Sequence, residues 1–588
     1  MTSDSSHPSG RSESGKLVFS SKLASVTNNL FDITSSATAC RYRFIECKAF
    51  LEDDELRLYE YEDLPSSSYA AISYVWRGNP MIDDPTDSHY WIEEVGTFVV
   101  KGAESGDPIS LSVLRHACVA ALPTIQYLWL DKLCIIQTNK MDKAWQISRM
   151  YWIYKCCEVC YVLPGGIQRL ASVREGTAWV YRAWTLQEAL VPKRAVVIFW
   201  CHKGSMPQSS YPELWKFDGR EVVPTKSGCA DLRHLLEEHQ VSMKNAGYSR
   251  MCRNFGEIRD SEEEAALYGA LTAADDNEDL KYQAIWRSAL LRTSSRPVDM
   301  VFSIMQLFGV SLDPLRFGKH DRMGATIALA SQILANGGKA HWLGSLYSIP
   351  PSYQLSTFPR FPHTTVTEYV KTRDMIWRPT HWVHGLPGGC MDDEGYFNFT
   401  GEAIPVVLSE GRYSGYSGFR MTKRRKMYLH SHIAVWLVID TTNPSELEFP
   451  RAFAVSLGRL LEYGTSGVAE SRNVGKRVPR RAPSMETLLT PSSFEMEGRN
   501  DDSDSDIEVD MDILGDLEWI RELQLILVEH SPGKFHRADV VELKVNYMEY
   551  VEARRTMIFS VGGPIPISVD QEEAEKLGSI YYSKYEND

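Results

Sequence analysis

Ala178-Trp179-Val180-Tyr181-Arg182-Ala183-Trp184-Thr185-Leu186-Gln187-Glu188-Ala189-Leu190 is the stretch on which the reading of this chain turns. Its residues are good helix formers, and Pro192 marks where a helix must stop. On one helix Trp184 and Glu188, four apart, share a face one turn from each other, a large aromatic beside a carboxylate. Such a pair can hold and act on a small molecule. Glu188 is equally readable as a solvated helix acid, so the rest of the chain has to decide.

Short apolar runs stand before and after this helix. Tyr69 to Tyr74 reads as a strand, followed by a long loop carrying Pro80, Asp83, Asp84 and Pro85. Ile109 to Ala121 reads as a helix, and Ile125 to Leu130 as a strand ending on Asp131. Asp142 to Tyr154 places Trp145, Ile147, Met150 and Tyr154 at roughly helical spacing. Val159 to Leu163 is a third strand closed by Pro164-Gly165-Gly166, and Ala195 to Trp200 a fourth. Alternating strands and helices with nearly continuous apolar strands predict an α/β fold, a parallel sheet covered on both faces. Ligands of such sheets bind beyond the carboxyl ends of the strands, where Ser73, Tyr74, Asp131 and Gly165-Gly166 fall.

At 588 residues the chain is long enough for two to four folding units. Residues 1–40, rich in Ser and Thr, read as a disordered arm, and 41–205 as the α/β domain. Residues 206–345 read as helical, with candidates at Lys281–Thr293, Pro297–Phe308 and Met323–Ala335. The stripe of Val298, Phe302, Met305 and Phe308 is expected to pack as core. An irregular connector rich in proline and aromatics is expected at 346–424. Residues 425–588 read as a β-rich unit, with strand character at Met427–Asp440, Phe453–Tyr463, Trp519–Glu529, Val540–Val545 and Arg555–Val561. A disordered insertion at 464–513 interrupts it, first basic (Lys476, Arg477, Arg480, Arg481) and then acidic (Asp501 to Asp512).

The net charge of -14 argues against nucleic acid as an obligate partner. No uncharged run approaches ~18 apolar residues, so no membrane span is expected. The first residues lack the apolar core of a secretion signal, and the eleven cysteines show no regular spacing. A cytoplasmic protein with free thiols is expected. Cys157 and Cys160 have Cys-x-x-Cys spacing, but no second pair accompanies them, so packing is expected rather than a metal. There is no P-loop, no His-Glu-x-x-His and no Gly-x-Ser-x-Gly.

Three separated blocks now stand in order: Ala71-Ile72-Ser73-Tyr74-Val75-Trp76, Leu128-Trp129-Leu130-Asp131-Lys132-Leu133-Cys134-Ile135-Ile136-Gln137, and Arg182 to Glu188. Together they resemble the fungal heterokaryon incompatibility (HET) domain over roughly residues 68–200. Arg292-Thr293-Ser294-Ser295-Arg296-Pro297-Val298-Asp299-Met300 also looks like the segment following that domain. The chain departs from the family pattern at Arg77, which separates Trp76 from Gly78, and at Ile136, where Asn is usual. HET domains are similar in plan to TIR domains, a doubly wound parallel sheet. Some TIR domains cleave NAD with the glutamate of a Trp-x-x-x-Glu pair, and Trp184 and Glu188 match that pattern. Most TIR domains are self-associating scaffolds, so the resemblance implies two functions for an effector of non-self recognition and programmed cell death, with the C-terminal unit a candidate for protein partners.

In NAD cleavage the transition state is oxocarbenium-like, and a carboxylate near the ribose stabilises the developing charge; Glu188 is the expected catalytic residue. NAD would be substrate, with no resident cofactor or metal. Trp76 and Trp184 are candidate walls for a ring, or plain core packing. Asp131 either binds a ligand hydroxyl or caps the following turn. Ser73 and Tyr74 offer hydroxyls to a ribose or phosphate, or satisfy loop amides. Arg77 and Arg182 are candidate partners for phosphate or for Glu188, or solvated surface.

Overall fold

The computed structural model describes residues 15–80, 96–172, 175–201, 219–237, 262–273, 277–345, 355–359, 381–409, 418–421, 426–431, 434–439, 449–462, 520–545, 551 and 553–563. The chain divides into two compact units, Met1–Pro379 with Gly388–Tyr396, and Thr380–Pro387 with Phe397–Asp588. The loop with Asp83, Asp84 and Pro85 and the insertion at 464–513 lie outside the described residues.

The first unit runs through β1 (Lys16–Lys22), α1 (Leu23–Val26), β2 (Leu30–Phe31), β3 (Tyr42–Glu46), α2 (Cys47–Glu52), β4 (Glu55–Tyr61) and β5 (Tyr69–Tyr74). It continues with β6 (Thr97–Val100), β7 (Ile109–Ser110), α3 (Leu111–Ala121), β8 (Tyr127–Trp129), α4 (Asp131–Cys134), α5 (Lys140–Cys156), β9 (Val159–Leu163), α6 (Ala183–Leu190) and β10 (Ala195–Trp200). A hairpin, β11 (Arg220–Val223) and β12 (Ser227–Asp231), precedes four more helices: α7 (Glu262–Thr272), α8 (Glu278–Leu290), α9 (Asp299–Phe302) and α10 (Arg322–Ala335).

Nine strands form the main sheet in the order β1-β4-β3-β8-β5-β9-β10-β12-β11. Its centre is parallel: β5 runs alongside β8 and β9, and β10 alongside β9. Every residue of β5, β8 and β9 is buried, as a sheet covered on both faces requires. The flanks are antiparallel, which corrects the expectation of a wholly parallel sheet. The strand at Lys16–Lys22 lies within the stretch expected to be a disordered arm, and the β11–β12 hairpin within the stretch expected to be helical. A small separate sheet joins β2, β6 and β7. Ser110 then caps α3 by accepting from Val113 N at 3.3 Å, so the helix starts two residues later than its apolar pattern suggested.

A buried ion pair ties the start of α5 to β3. Arg43 and Asp142 are each fully buried, and Asp142 accepts from Arg43 Nη1 at 3.1 Å and Nη2 at 3.0 Å. The same carboxylate takes the amides of Cys40 at 2.7 Å and Ile136 at 2.8 Å, while Arg43 Nη1 donates to Cys134 O at 2.7 Å. Five donated bonds thus fix the backbone that leaves Asp131 and enters α5.

The expected helix from Ala178 is in fact two. A 3-10 turn, Trp179–Tyr181, is separated from α6 by Arg182, which is extended at φ -87° and ψ 138°. The break is forced from outside. Thr293 N donates to Tyr181 O at 2.7 Å and Thr293 O accepts from Ala183 N at 2.9 Å, a short parallel bridge that replaces helical bonding. Arg292 Nη1 donates to Arg182 O at 2.8 Å and to Thr185 Oγ1 at 2.7 Å. Val298, Phe302, Met305 and Phe308 are buried, as their spacing predicts, although a 3-10 turn at Met305–Phe308 follows the one-turn α9.

The second unit is β-rich, as the sequence predicts. After β13 (His381–His384), and the two-residue β14 (Cys390–Met391) of the first unit, come β15 (Tyr396–Leu408), β16 (Gly418–Met421), β17 (Met427–His430), β18 (Val435–Val438), β19 (Ala452–Glu462), β20 (Ile520–Ser531), β21 (Lys534–Val545) and β22 (Arg555–Gly562). The single strand expected over Met427–Asp440 is the antiparallel pair β17–β18. β13, β15 and β16 fall where an irregular connector was expected. Pairing of β19 with β15 closes β15, β19, β20, β21 and β22 into a ring. Phe397, Phe399, Phe453, Phe535 and Phe559, all buried, pack ring on ring within it.

Replacing Asp142 with Ala strands the Arg43 guanidinium in the core. A loss of about 3–5 kcal/mol is expected for Asp142→Ala by denaturant unfolding, against a far smaller loss for an exposed pair such as Lys48–Glu52.

Candidate functional site

The central strands end where the sequence placed the site. In register, Ser73 lies opposite Val162 and Tyr74 opposite Leu163, so Ser73 is one residue from the end of the middle strand. Ser73 is completely buried. Its Oγ donates to Glu188 Oε2 at 2.5 Å and accepts from Trp179 Nε1 at 2.8 Å. The hydroxyl therefore joins the 3-10 turn to the carboxyl of α6. Tyr154 OH, which donates to Ile72 O at 3.0 Å, lies beside the same carboxyl.

Glu188 is 6% exposed. Burial pushes its carboxyl up from an ordinary 4.5 to about 8; the Ser73 hydrogen bond opposes this, the charge of Asp131 adds to it, and Tyr154 and Arg292 oppose it. Near neutral pH the group is a proton-bearing acid.

The next strand end carries a second carboxyl. Asp131 Oδ1 accepts from Tyr74 OH at 2.5 Å and from Lys132 N at 2.6 Å, and Oδ2 from Trp76 Nε1 at 2.7 Å. Burial raises this carboxyl too, against the Tyr74 and Trp76 hydrogen bonds. Asp131 thus caps its own turn and also locks Tyr74 and Trp76. Lys132, buried, donates from Nζ to Asp107 O at 2.5 Å and stands 5.3 Å from the centre of the Trp76 ring.

Five of the eight residues singled out from the sequence are therefore together: Ser73, Tyr74, Trp76, Asp131 and Glu188. Trp184 lies one turn before Glu188 on α6, where its Nε1 donates to Asp299 Oδ2 at 3.2 Å, and Arg182 lies just before the start of α6. Arg77 lies apart, exposed, donating from Nε to Ser105 O at 2.9 Å. Gly165-Gly166 serves a close approach of backbone to backbone. A Cβ on Gly78 would sit 2.0 Å from Gly165 O, and Gly166 has φ +97°.

Trp179, Lys132, Arg292 and Asp299 were not singled out as site residues. Trp179 lies in a stretch whose local propensity is helical, and Arg292 and Asp299 lie in the Arg-Thr-Ser-Ser-Arg-Pro-Val-Asp segment, whose spacing says nothing about α6. Cys157 and Cys160 are buried, with their thiols pushed up by burial, which suits packing. Among the described residues, no group of three or more His, Cys, Asp or Glu could hold a metal ion. No helix of the described residues is long and apolar enough to cross a membrane.

Residues 69–174 match the family model described as Heterokaryon incompatibility protein (HET). That segment runs from β5 to just beyond β9 and holds Ser73, Tyr74, Trp76, Arg77 and Asp131; Arg182, Trp184 and Glu188 follow it. No curated protein and no solved structure matches the chain.

The folded chain holds a proton on Glu188 that the unfolded chain, with an ordinary value of 4.5, releases. The contribution of Glu188 to stability is therefore fully present below about pH 4.5 and falls as pH rises to about 8. A fall on the order of a few kcal/mol across that window is expected from denaturant unfolding. Glu188→Gln, which keeps an acceptor for Ser73, is expected to reduce the slope.

Proposed function

We propose that this chain, which carries a heterokaryon incompatibility (HET) segment, is an effector of non-self recognition and programmed cell death that cleaves NAD at Glu188. The observation that carries the reading is the Ser73–Glu188 hydrogen bond beside Asp131, at the carboxyl ends of adjacent parallel strands. The strand order β8-β5-β9-β10, with its first strand inside the sheet, supports the likeness to TIR domains, since doubly wound sheets share that order and bind ligands at such ends.

In the reaction the bond between nicotinamide nitrogen and ribose C1′ breaks, and the electron pair leaves with nicotinamide. The ionised Glu188 carboxylate stabilises the cationic ribose carbon, and water adds to C1′ and gives up a proton. Ser73 and Trp179 orient the carboxyl, and the lock on Asp131 fixes Trp76 and Tyr74 at the site's edge. Catalysis requires the ionised form, and Glu188 ionises only toward about pH 8. Association of HET domains that opens the site to water would favour ionisation and act as the trigger.

A second reading is a scaffold that acts by self-association alone. The low exposure of Glu188 favours it, since a carboxyl closed off from solvent is also a structural one.

The test is NAD cleavage by the full chain, dilute and forced to cluster, as a function of pH. Cleavage is expected to rise with pH through about 8 and to level off above it, and to drop by about 100-fold or more in Glu188→Gln. Clustered protein that assembles and leaves NAD intact would favour the scaffold.

A further inference from the structure

Helix α5 buries one face, with Ala144, Met150 and Ile153, and turns the other to solvent. Along the outer face run Met141, the half-buried Trp145, Arg149, Trp152 and Cys156, three or four residues apart and so in one stripe. Met141 is 57% and Trp152 43% exposed. The outer face of a packed helix ordinarily carries solvated polar side chains, and here it carries apolar ones left in water. The exposed Leu315, on the turn Pro314–Arg316 that packs against α5, adds to them.

The stripe is also positively charged. Lys140, Lys143, Arg149 and Lys155 lie on α5, and its one acid, Asp142, is taken by Arg43. Lys155 Nζ stands 5.2 Å from the centre of the Trp152 ring, and the Arg149 guanidinium 5.7 Å from that of Trp145. Trp152 meets Tyr151 edge to face at 5.4 Å. Among the described residues, Arg149 and Lys155 meet rings and the Tyr151 hydroxyl but pair with no carboxylate. Aromatic rings, methionine and arginine gathered in one patch are the composition of an interface centre.

The chain carries a sequence of complementary chemistry. Seven of the residues from Asp501 to Asp512 are acidic and none is basic, and from Asp506 the acids alternate with Ile507, Val509, Met511 and Ile513. Acids to meet Arg149 and Lys155 are thus interleaved with apolar side chains to meet Met141 and Trp152. The lengths agree as well. Met141 to Trp152 covers about 17 Å of helix, and a drawn-out segment as long as Asp506–Ile513 reaches about 26 Å.

We infer that the outer face of α5 docks the acidic run Asp506–Ile513 of a second copy of this chain, with Trp152 as apolar anchor and Arg149 and Lys155 as charge partners. The inference rests on the association invoked above as the trigger, for which it supplies the surface, and not on NAD cleavage. Its charges lie at the surface, so salt screens the contact.

Sedimentation velocity of the full chain reads the docking. Wild type is expected to associate as its concentration rises, and less tightly as salt rises. A stripe variant, Trp152→Glu with Lys155→Glu, and a run variant, Asp506→Asn with Glu508→Gln, Asp510→Asn and Asp512→Asn, are each expected to weaken association by about tenfold or more. Should the stripe variant fail to fold, Arg149→Glu at an exposed position of the same stripe takes its place. The two variants are then mixed. The intact run of one fits the intact stripe of the other, so a 1:1 complex is expected at concentrations where neither associates alone. Association unchanged in both variants, or no complex in the mixture, overturns the docking and leaves another surface to bring copies together. A wild type that stays monomeric at every concentration overturns both the docking and the trigger, and NAD cleavage by that monomer still keeps the enzyme. Binding to anionic phospholipid vesicles that the stripe variant loses, with association intact, gives the face to a membrane surface instead and overturns the docking.

Discussion

A carboxyl group buried at the end of a parallel strand must be held by donors or kept neutral, and Glu188 is held in both ways. Ser73 is the donor. That one hydrogen bond requires α6 to lie over the end of β5, and it requires the preceding turn to bring Trp179 onto the same hydroxyl. Neither follows from a straight helix from Ala178 to Leu190. It follows from the break at Arg182, which Thr293 and Arg292 impose from a hundred residues downstream.

The site is thus assembled from two parts of the chain with different jobs. The segment that matches the HET family model supplies the strand ends, with Ser73 buried under α6 and Asp131 locking Tyr74 and Trp76. The part after it supplies the acid, on α6, and the clamp that aims it. Asp299 and Arg292 extend the polar surroundings of α6 beyond the matched segment, so the helical region is bonded to the helix that carries Glu188.

How much of this could be read in the sequence follows from what kind of contact each feature depends on. The four central strands could be read because each is apolar from end to end, and the strand ends then located Ser73 and Asp131. Glu188 could be read because a four-residue spacing is local. The edge strand Lys16–Lys22 could not: only Val18 of its seven residues is distinctly buried in an otherwise polar run, so it looks like an arm until β4 pairs with it. The β11–β12 hairpin has the same difficulty, with short strands that only their pairing to β10 makes visible. The break at Arg182 was hidden for a sharper reason. Local propensity favours helix there, and a tertiary contact with Thr293 overrides it. In the second unit, β17 ends at His430 and β18 begins at Val435, where apolar content alone joined the two into one strand.

Direct titration of the Glu188 carboxyl, with and without NAD, tests the account most directly. In the full chain with carbon-13-labelled glutamate, its signal is the one that Glu188→Gln removes. The expected midpoint is about 8, with a displacement on adding NAD, as a buried acid facing its ligand requires. A midpoint at the ordinary 4.5, or one that saturating NAD leaves unmoved, would contradict it.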